Sequence, residues 1–147
     1  MRTNTFMGEF NHTVDVKGRL IIPVKFRESL GDEFVISKGL DGCLFVHGES
    51  EWQMFVDKLM ELPSLKGDAR QFRRYFLAGA ETVTIDKQGR ILIPEALRHF
   101  AGIDKEVVVI GVGTRLEVWS TSSWESVTEN IDAEGIAEQM ALLGMGL

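Results

Sequence analysis

The sequence predicts a mainly β fold of the mixed α+β class, built from two similar halves that form one compact unit. The first observation is a repeat: the stretch from Thr13 to Pro23 is nearly copied from Thr84 to Pro94, 71 positions later. The second is that each copy is typical of a turn, a short apolar strand and a helix. The third is a hairpin pattern that follows each copy. A unit of this length exceeds a solenoid repeat, so two half-domains are indicated.

The turn in each copy is marked by an aspartate followed three residues later by a glycine. The aspartate can accept a hydrogen bond from its own backbone two residues on, and the glycine supplies the positive φ that the turn needs. A proline ends each apolar run, because it cannot donate to a central ladder but suits the first position of a helix. Six motif residues are therefore predicted to be structural: Asp15, Gly18 and Pro23, with Asp86, Gly89 and Pro94.

The predicted elements follow in the same order in both halves. Residues 6–11 are expected to form a first strand, after a start (residues 1–5) without regular structure. The short strands 20–22 and 91–93 lead into helices 23–30 and 94–101, each ended by a glycine. Hairpins are predicted from strands 33–37 and 43–47 and from strands 107–110 and 116–119.

Serine and aspartate residues are predicted to cap the remaining helices. Ser50 is expected to begin a helix with an apolar stripe, Ser64 the next helix to residue 78, and Ser122 or Ser123 the third. Asp132 is expected to begin the last helix. The predicted domains are a first repeat over 6–52, a helical connector over 53–79, a second repeat over 80–124 and C-terminal helices over 125–147.

The sequence contains no recognisable catalytic motif. The three histidines accompany no recognisable Ser or Cys nucleophile motif, no phosphate loop and no zinc helix. His12 is therefore expected to be a local hydrogen-bonding residue, and Cys43, the single cysteine, a small packed apolar side chain. We expect no catalytic residue, no metal, no cofactor and no small-molecule substrate. No apolar run approaches the ~18 residues of a membrane span, so a cytoplasmic protein is expected.

The charge of the chain is distributed unevenly. Its net charge is −6, which argues against a nucleic-acid partner when taken alone. Residues 1–30, however, carry five basic and three acidic residues, and residues 66–100 carry seven and four. Positive charge therefore collects around both copies of the motif, and a local basic patch is what phosphate contact requires.

The two motif arginines, Arg19 and Arg90, are the best candidates for function. A guanidinium offers a rigid fork of donors that matches a phosphate or the O6 and N7 of guanine. The structural alternative is an ion pair between Asp15 and Arg19, and between Asp86 and Arg90, that holds each turn closed. Both can hold at once, because the aspartate can orient an arginine whose other donors face outward. Arg70, Arg73 and Arg74 form either a solvated basic face or a second phosphate-contacting surface.

The doubled pattern of Asp-x-x-Gly-Arg, apolar run and proline resembles the MraZ family of bacterial regulators, as do residues 8–12 before the first copy. The resemblance covers nearly the whole chain. It implies two tandem AbrB-like, swapped-hairpin halves, related to the halves of double-psi barrels, with flanking helices. Some double-psi barrels are self-processing decarboxylases, but the Gly-Ser pair that their cleavage needs is absent from this sequence.

The resemblance also implies a function and its residues. It implies a nucleoid-associated, sequence-specific DNA-binding regulator, usually a repressor, that acts as a ring-shaped homo-oligomer on short repeats upstream of the division and cell-wall gene cluster. The implied DNA contacts are Arg19, Lys17, Lys25 and Arg27, with Arg90, Lys87 and Arg98. The helix of the second copy carries Glu95 and no lysine, whereas that of the first copy carries Lys25, so the first half is expected to dominate. The alternative is an oligomeric, antitoxin-like module that binds another protein.

Overall fold

The structure is a computed structural model that describes residues 5–146. One order of elements, two strands, a helix, two strands and two helices, occurs twice. The first half holds β1 (Phe6–Thr13), β2 (Arg19–Ile21), α1 (Val24–Leu30), β3 (Glu33–Lys38), β4 (Leu44–Gly48), α2 (Glu49–Glu61) and α3 (Gly67–Ala78). The second half holds β5 (Glu81–Thr84), β6 (Arg90–Leu92), α4 (Glu95–Phe100), β7 (Glu106–Gly113), β8 (Leu116–Ser120), α5 (Thr121–Thr128) and α6 (Ala133–Leu142).

The two halves exchange their first strands. The main sheet is antiparallel and runs in the order β1-β7-β8-β4-β3-β5, so β1 lies beside the second half and β5 beside the first. The hairpins β3–β4 and β7–β8 meet in the middle, where β4 pairs with β8. The short strands β2 and β6 pair with each other as a separate two-stranded ribbon. This arrangement confirms the predicted α+β fold and agrees with the strand exchange that the resemblance implies.

The main core is shared by both halves and lies between the ribbon and one face of the sheet. Leu20, Ile22 and Phe26 of the first half enter it with Ile91 and Ile93 of the second, each at most 1% exposed. A second cluster covers the opposite face, where α2 and α3 pack mainly on β3 and β4, and α5 packs on β7 and β8. Because each face has its own cover, the sheet is buried on both sides and its central strands are almost continuously apolar.

The predicted strands and helices are present, but several helix starts differ from the prediction. α2 begins at Glu49 with Gly48 at its N-cap, so Ser50 lies inside the first turn. α3 begins at Gly67, and Ser64 is left in the preceding loop. α5 is capped by Ser120, whose side chain accepts a hydrogen bond from the Ser123 backbone. The last cap is as predicted, since Asp132 accepts from the Glu134 backbone.

The two motif prolines precede their helices, whereas the prediction made them the first helical residues. Pro23 and Pro94 are N-cap residues with ψ of 133° and 141°, which is extended rather than helical backbone. Their carbonyls still accept the first helical bonds, as in the 2.9 Å bond from the Phe26 nitrogen to Pro23. The expected irregular start, apart from Thr5, lies outside the described residues.

Candidate nucleic-acid interface

Each motif turn is closed by its aspartate. Asp15 Oδ1 accepts from the backbone nitrogens of Lys17 (3.0 Å) and Arg19 (2.9 Å), while Gly18 adopts a φ of +87°. Asp86 makes the same bonds to Gln88 and Arg90, both 2.9 Å. The backbone hydrogen bond from Arg19 or Arg90 is the main cause that lowers the pKa of each aspartate. Each turn is therefore built around an ionised carboxylate.

The motif arginines are held by these same aspartates through one nitrogen only. Arg19 Nε lies 2.7 Å from Asp15 Oδ2, and Arg90 Nε lies 2.9 Å from Asp86 Oδ2. Within residues 5–146, no hydrogen bond or ion pair uses the terminal nitrogens of either arginine. The ion pair orients each side chain and leaves the outer edge of the guanidinium, with four N–H donors, available to a ligand.

The ribbon brings the two arginines together. In the register of β2 and β6, Arg19 lies opposite Leu92 and Ile21 lies opposite Arg90, with Leu20 and Ile91 paired between them. The central pair points inward and is buried, so the other four side chains share the outer face. Diagonal neighbours of this kind are roughly 7–8 Å apart at Cα. Two residues 71 positions apart in the sequence thus form one exposed cationic surface.

Lysines lie at the rims of this surface. Lys17 and Lys87 are exposed in the two turns. Lys17 follows Val16, which is fully exposed, and Lys87 occupies the position of Val16 in the second copy.

Lys25 is exposed on α1, with its Nζ 5.9 Å from the centre of the Phe10 ring. The 71-residue offset matches Lys25 to Ala96 on α4, and the neighbouring Glu95, which matches Val24, adds a negative charge there. The ribbon itself is therefore nearly two-fold symmetric in charge, and the asymmetry lies on the flanking helices.

Arg27 and Arg98 have a role that sequence reasoning missed. Arg27 Nε donates to the Ile22 carbonyl (2.8 Å), and its guanidinium lies against Gly89 of the other half, where an added Cβ would clash with Cζ. Arg98 Nε donates to Ile93 (3.0 Å) and lies against Gly18 in the same way. The motif glycine is needed for close approach as well as for its φ. The sequence does contain a signal for this role, because each arginine follows the glycine of its own copy by the same spacing.

These cross-contacts continue in the backbone. The Ile22 nitrogen donates to the Gly89 carbonyl (2.8 Å), and the Ile93 nitrogen donates to the Gly18 carbonyl (2.9 Å). Each turn is therefore fixed by the half to which it does not belong. The relative position of the two turns, and so of the cationic surface, depends on both halves being folded.

The basic residues of α3 are largely engaged elsewhere. Arg73 donates to three carbonyls near the end of α2, those of Leu59, Met60 and Leu62. Arg70 donates to the Ser64 and Leu65 carbonyls in the connecting loop. Both side chains satisfy backbone acceptors that the helix end and loop leave free, so they stabilise the α2–α3 connection. Arg74 is exposed.

The other residues singled out in the sequence belong to the framework. His12 lies in β1, opposite Val107. Cys43 is buried and its Sγ donates to the Leu40 carbonyl; burial is the main cause that raises its pKa to about 12. No cluster of His, Cys, Asp or Glu in residues 5–146 is arranged to hold a metal ion. No helix in the described part of the chain has the length and apolar character needed to cross a membrane.

Comparison with known proteins finds the same repeat. A family model described as "MraZ protein, putative antitoxin-like" matches residues 5–75 and again residues 76–143. The transcriptional regulator MraZ of Acetivibrio thermocellus is 56% identical over 95% of this chain and 99% of its own length. The regulators of the same name from Lachnoclostridium phytofermentans and Clostridium tetani are 54% and 52% identical, over 95% of this chain and 98% and 99% of their own lengths.

A solved structure, that of PHS018 from Pyrococcus horikoshii, is 23% identical with a TM-score of 0.35, covering 77% of this chain and 94% of that one. The family itself rests on the other comparisons, in which the model matches both halves and each relative is similar over nearly its full length. These relatives are named as regulators and not as enzymes. The chain therefore belongs to the MraZ family of transcriptional regulators.

Proposed function

We propose that this chain is a sequence-specific DNA-binding transcriptional regulator that inserts the outer face of the β2–β6 ribbon into the major groove. The observation that carries the proposal is the meeting of Arg19 and Arg90 on one exposed face, each oriented at Nε by its own aspartate. The major groove admits a two-stranded ribbon, and a bidentate arginine is the commonest reader of guanine there. The names of the relatives agree with this role.

The other cations supply phosphate contacts in this proposal. Lys17 and Lys87 extend from the turns, and Lys25 is exposed on α1, so all three can reach the backbone on either side of a groove. Arg27 and Arg98 donate through Nε to backbone carbonyls, so only their terminal nitrogens are left for phosphate. We propose that the two halves contribute equally at the base edges and that the first half contributes more to the phosphates.

We further propose, from the family resemblance, that the protein assembles into a ring. The ring would act in the cytoplasm, on the nucleoid, as a repressor of the division and cell-wall gene cluster through short repeats upstream of its own gene. One ribbon offers only two guanine contacts, which is a small site. Several ribbons on one assembly raise affinity through effective concentration, provided that the spacing of the repeats matches that of the subunits.

The direct test compares wild type, Arg19→Ala and Arg90→Ala by fluorescence anisotropy on the DNA upstream of the chain's own gene. Each substitution removes one bidentate contact, so each is expected to weaken specific binding by about 1–3 kcal/mol. Arg74→Ala is the matched control, because it removes one exposed positive charge from α3. Competition with an unrelated fragment separates specific from unspecific binding.

Two results would count against this reading of the site. Equal losses in Arg74→Ala and Arg19→Ala would mean that general charge, and not the ribbon, holds the DNA. A lowered melting temperature or a changed oligomer size in Arg19→Ala would mean that the arginine mainly closes its turn. Arg19→Lys adds a further check, since it keeps the charge but loses the planar fork.

A second candidate is a module that binds another protein, and helix α6 favours it. None of its side chains is buried, whereas the corresponding helix α3 buries Ala69 and Phe76. Ile136, Leu142 and Leu143 on and after α6 are 46–87% exposed, and Asp132, Glu134 and Glu138 make the segment acidic. An exposed apolar helix of this kind is expected to be covered by a protein, either another copy or a partner.

Salt separates the two candidates. DNA binding through several cations releases counterions, so its affinity should fall steeply between 50 and 200 mM salt, by roughly one power of the salt concentration for each phosphate contacted. A mainly apolar protein interface should change little. The absence of specific DNA binding, together with a protein interaction whose affinity changes little with salt and survives Arg19→Ala, would favour the protein-binding module.

A further inference from the structure

The outer face of the ribbon carries two exposed aliphatic side chains beside its two arginines. Ile21 is 43% exposed and Leu92 is 56% exposed, while their neighbours Leu20 and Ile91 face inward and are at most 1% exposed. Ile21 and Leu92 occupy the same position in the two copies of the motif, 71 residues apart. Each lies directly across the ribbon from an arginine of the other copy.

This arrangement does not serve the fold. Alternation along β2 and β6 assigns these two positions to solvent, and the core is closed beneath them by Leu20 and Ile91. Single exposed aliphatic residues are common, but here both copies of the repeat carry one at the centre of a cationic surface. A partner that covers this surface must therefore be anionic at the rim and hold apolar groups beside hydrogen-bond acceptors.

The major groove of DNA has this composition. Its base edges present guanine O6 and N7 as acceptors, and the C5-methyl of thymine is the apolar group beside them. Successive outward residues on a strand are roughly 6.6–6.8 Å apart, which is about two base steps of 3.4 Å. An arginine and the aliphatic residue two positions further along the same strand can therefore face a guanine and a thymine about two base pairs apart.

We infer that Ile21 and Leu92 are specificity-determining residues that contact thymine C5-methyl groups in the major groove. The inference rests on the proposed DNA binding and adds to it the apolar half of the recognition surface. Arg19 and Arg90 select guanine by hydrogen bonds, and Ile21 and Leu92 select thymine by burying its methyl group. The approximate two-fold relation of β2 and β6 requires the two guanine–thymine elements to be inverted with respect to each other.

The experiment removes the methyl group and nothing else from the base. Duplexes selected by the wild-type protein from a random library are prepared once with thymine and once with uracil, and binding is measured by fluorescence anisotropy. Burial of one methyl group corresponds to roughly a fourfold change in affinity, so uracil is expected to weaken wild-type binding about fourfold for each methyl contacted. The variant Ile21→Ala/Leu92→Ala should bind both duplexes within about twofold of each other.

Controls separate this contact from other effects. Met54→Ala removes a similarly exposed aliphatic side chain from α2, on the far side of the sheet, and should keep the full response to uracil. Arg19→Ala should lose affinity but keep a response to uracil through Ile21 and Leu92. Thermal unfolding and the oligomer size of Ile21→Ala/Leu92→Ala should match wild type, because both side chains point away from the core.

The outcomes distinguish this inference from the proposed function. Equal binding of thymine and uracil duplexes by wild type, with binding still lost in Arg19→Ala, overturns the methyl contact and leaves DNA binding intact. An equal response to uracil in wild type and in Ile21→Ala/Leu92→Ala also overturns it, because the response would then come from DNA shape. Selection of no sequence by wild type overturns the proposed function and this inference together.

Discussion

At the scale of single residues, the motif uses arginine in two different ways. Arg19 and Arg90 are anchored at Nε to a carboxylate and present their terminal nitrogens to solvent. Arg27 and Arg98 are anchored at Nε to a backbone carbonyl and lie against a glycine of the other half. In both cases Nε carries the structural bond. The two pairs differ in their remaining donors. Those of Arg19 and Arg90, the proposed base contacts, have no partner in residues 5–146, whereas those of Arg27 and Arg98 lie against the other half.

A different residue, His47, is expected to make the stability of the fold depend on pH. Its side chain is 3% exposed among the rings of Phe45, Trp52 and Phe55, and its Nδ1 has no hydrogen-bond partner in the described structure. Burial, and then the charge of Arg115, lowers its pKa from 6.5 to about 4. The unfolded chain therefore binds a proton more readily between these values. The free energy of unfolding should therefore be undiminished above pH 6.5 and should fall as the pH decreases towards 4.

The expected loss from this histidine is about 2 kcal/mol between pH 7 and pH 4.5. Urea unfolding of wild type and His47→Gln at both pH values measures it, because glutamine cannot titrate. His99→Gln, at an exposed site, is the control and should behave like wild type. An equal loss of stability in wild type and His47→Gln would show that other groups cause the pH dependence.

At the scale of elements, the fit of each turn against an arginine of the other half predicts a specific cost for a methyl group at Gly18. Gly18 and Gly42 have nearly equal positive φ, +87° and +90°, so alanine is strained at both. At Gly42 nothing lies within 4 Å of the new Cβ, whereas at Gly18 it would be 2.7–2.9 Å from the Arg98 guanidinium. Arg98 can move away only by losing its bond to Ile93.

Gly18→Ala is therefore expected to destabilise the protein by about 1 kcal/mol more than Gly42→Ala, as measured by chemical denaturation. The double variant Gly18→Ala/Arg98→Ala should be less destabilised than the sum of its single substitutions, since the same contact is removed twice. Equal losses of stability at Gly18 and Gly42, or strict additivity in the double variant, would mean that the contact between Gly18 and Arg98 does not limit the side chain at position 18.

Much of this element-level structure follows from the sequence. The turn, the apolar strand and the helix of each motif are local, because Asp15, Gly18 and Pro23 each act through their own backbone. The serine caps were predicted less well, since many serines can cap a helix and tertiary packing selects among them. The partner of β2 was not predicted at all, because register between distant strands depends on the whole fold. That pairing is what joins Arg19 to Arg90.

At the scale of the whole molecule, the charged residues are distributed unevenly. The ribbon and its turns bring Arg19, Arg90, Lys17 and Lys87 together on one side of the sheet, while most acidic residues lie outside the two basic segments. A net charge of −6 opposes general association with DNA, so binding depends on a local basic surface such as this one. The acidic residues outside the two basic segments therefore disfavour unspecific binding. The overall composition conceals this uneven distribution because it averages over the whole chain.

The exchange of strands means that neither half can be completed alone. In a chain of residues 1–79, β1 lacks β7, β2 lacks β6, β3 lacks β5 and β4 lacks β8, so only the β3–β4 hairpin keeps its partner. The shared core would also lose Ile91, Ile93 and Leu97, each at most 2% exposed in the intact protein. A two-stranded hairpin with an open core is at best marginally stable.

We therefore expect that fragments 1–79 and 80–147 are unfolded as monomers and fold when mixed in equal amounts. Circular dichroism should show one cooperative unfolding transition for the mixture, and sedimentation should show that its basic unit contains both fragments. Because the halves are related by approximate two-fold symmetry, one fragment can also take the place of the other. Any folded material from a single fragment must then be at least dimeric, with one copy supplying the strand that the other lacks. A folded monomeric half, seen by sedimentation at low concentration, would contradict the shared core.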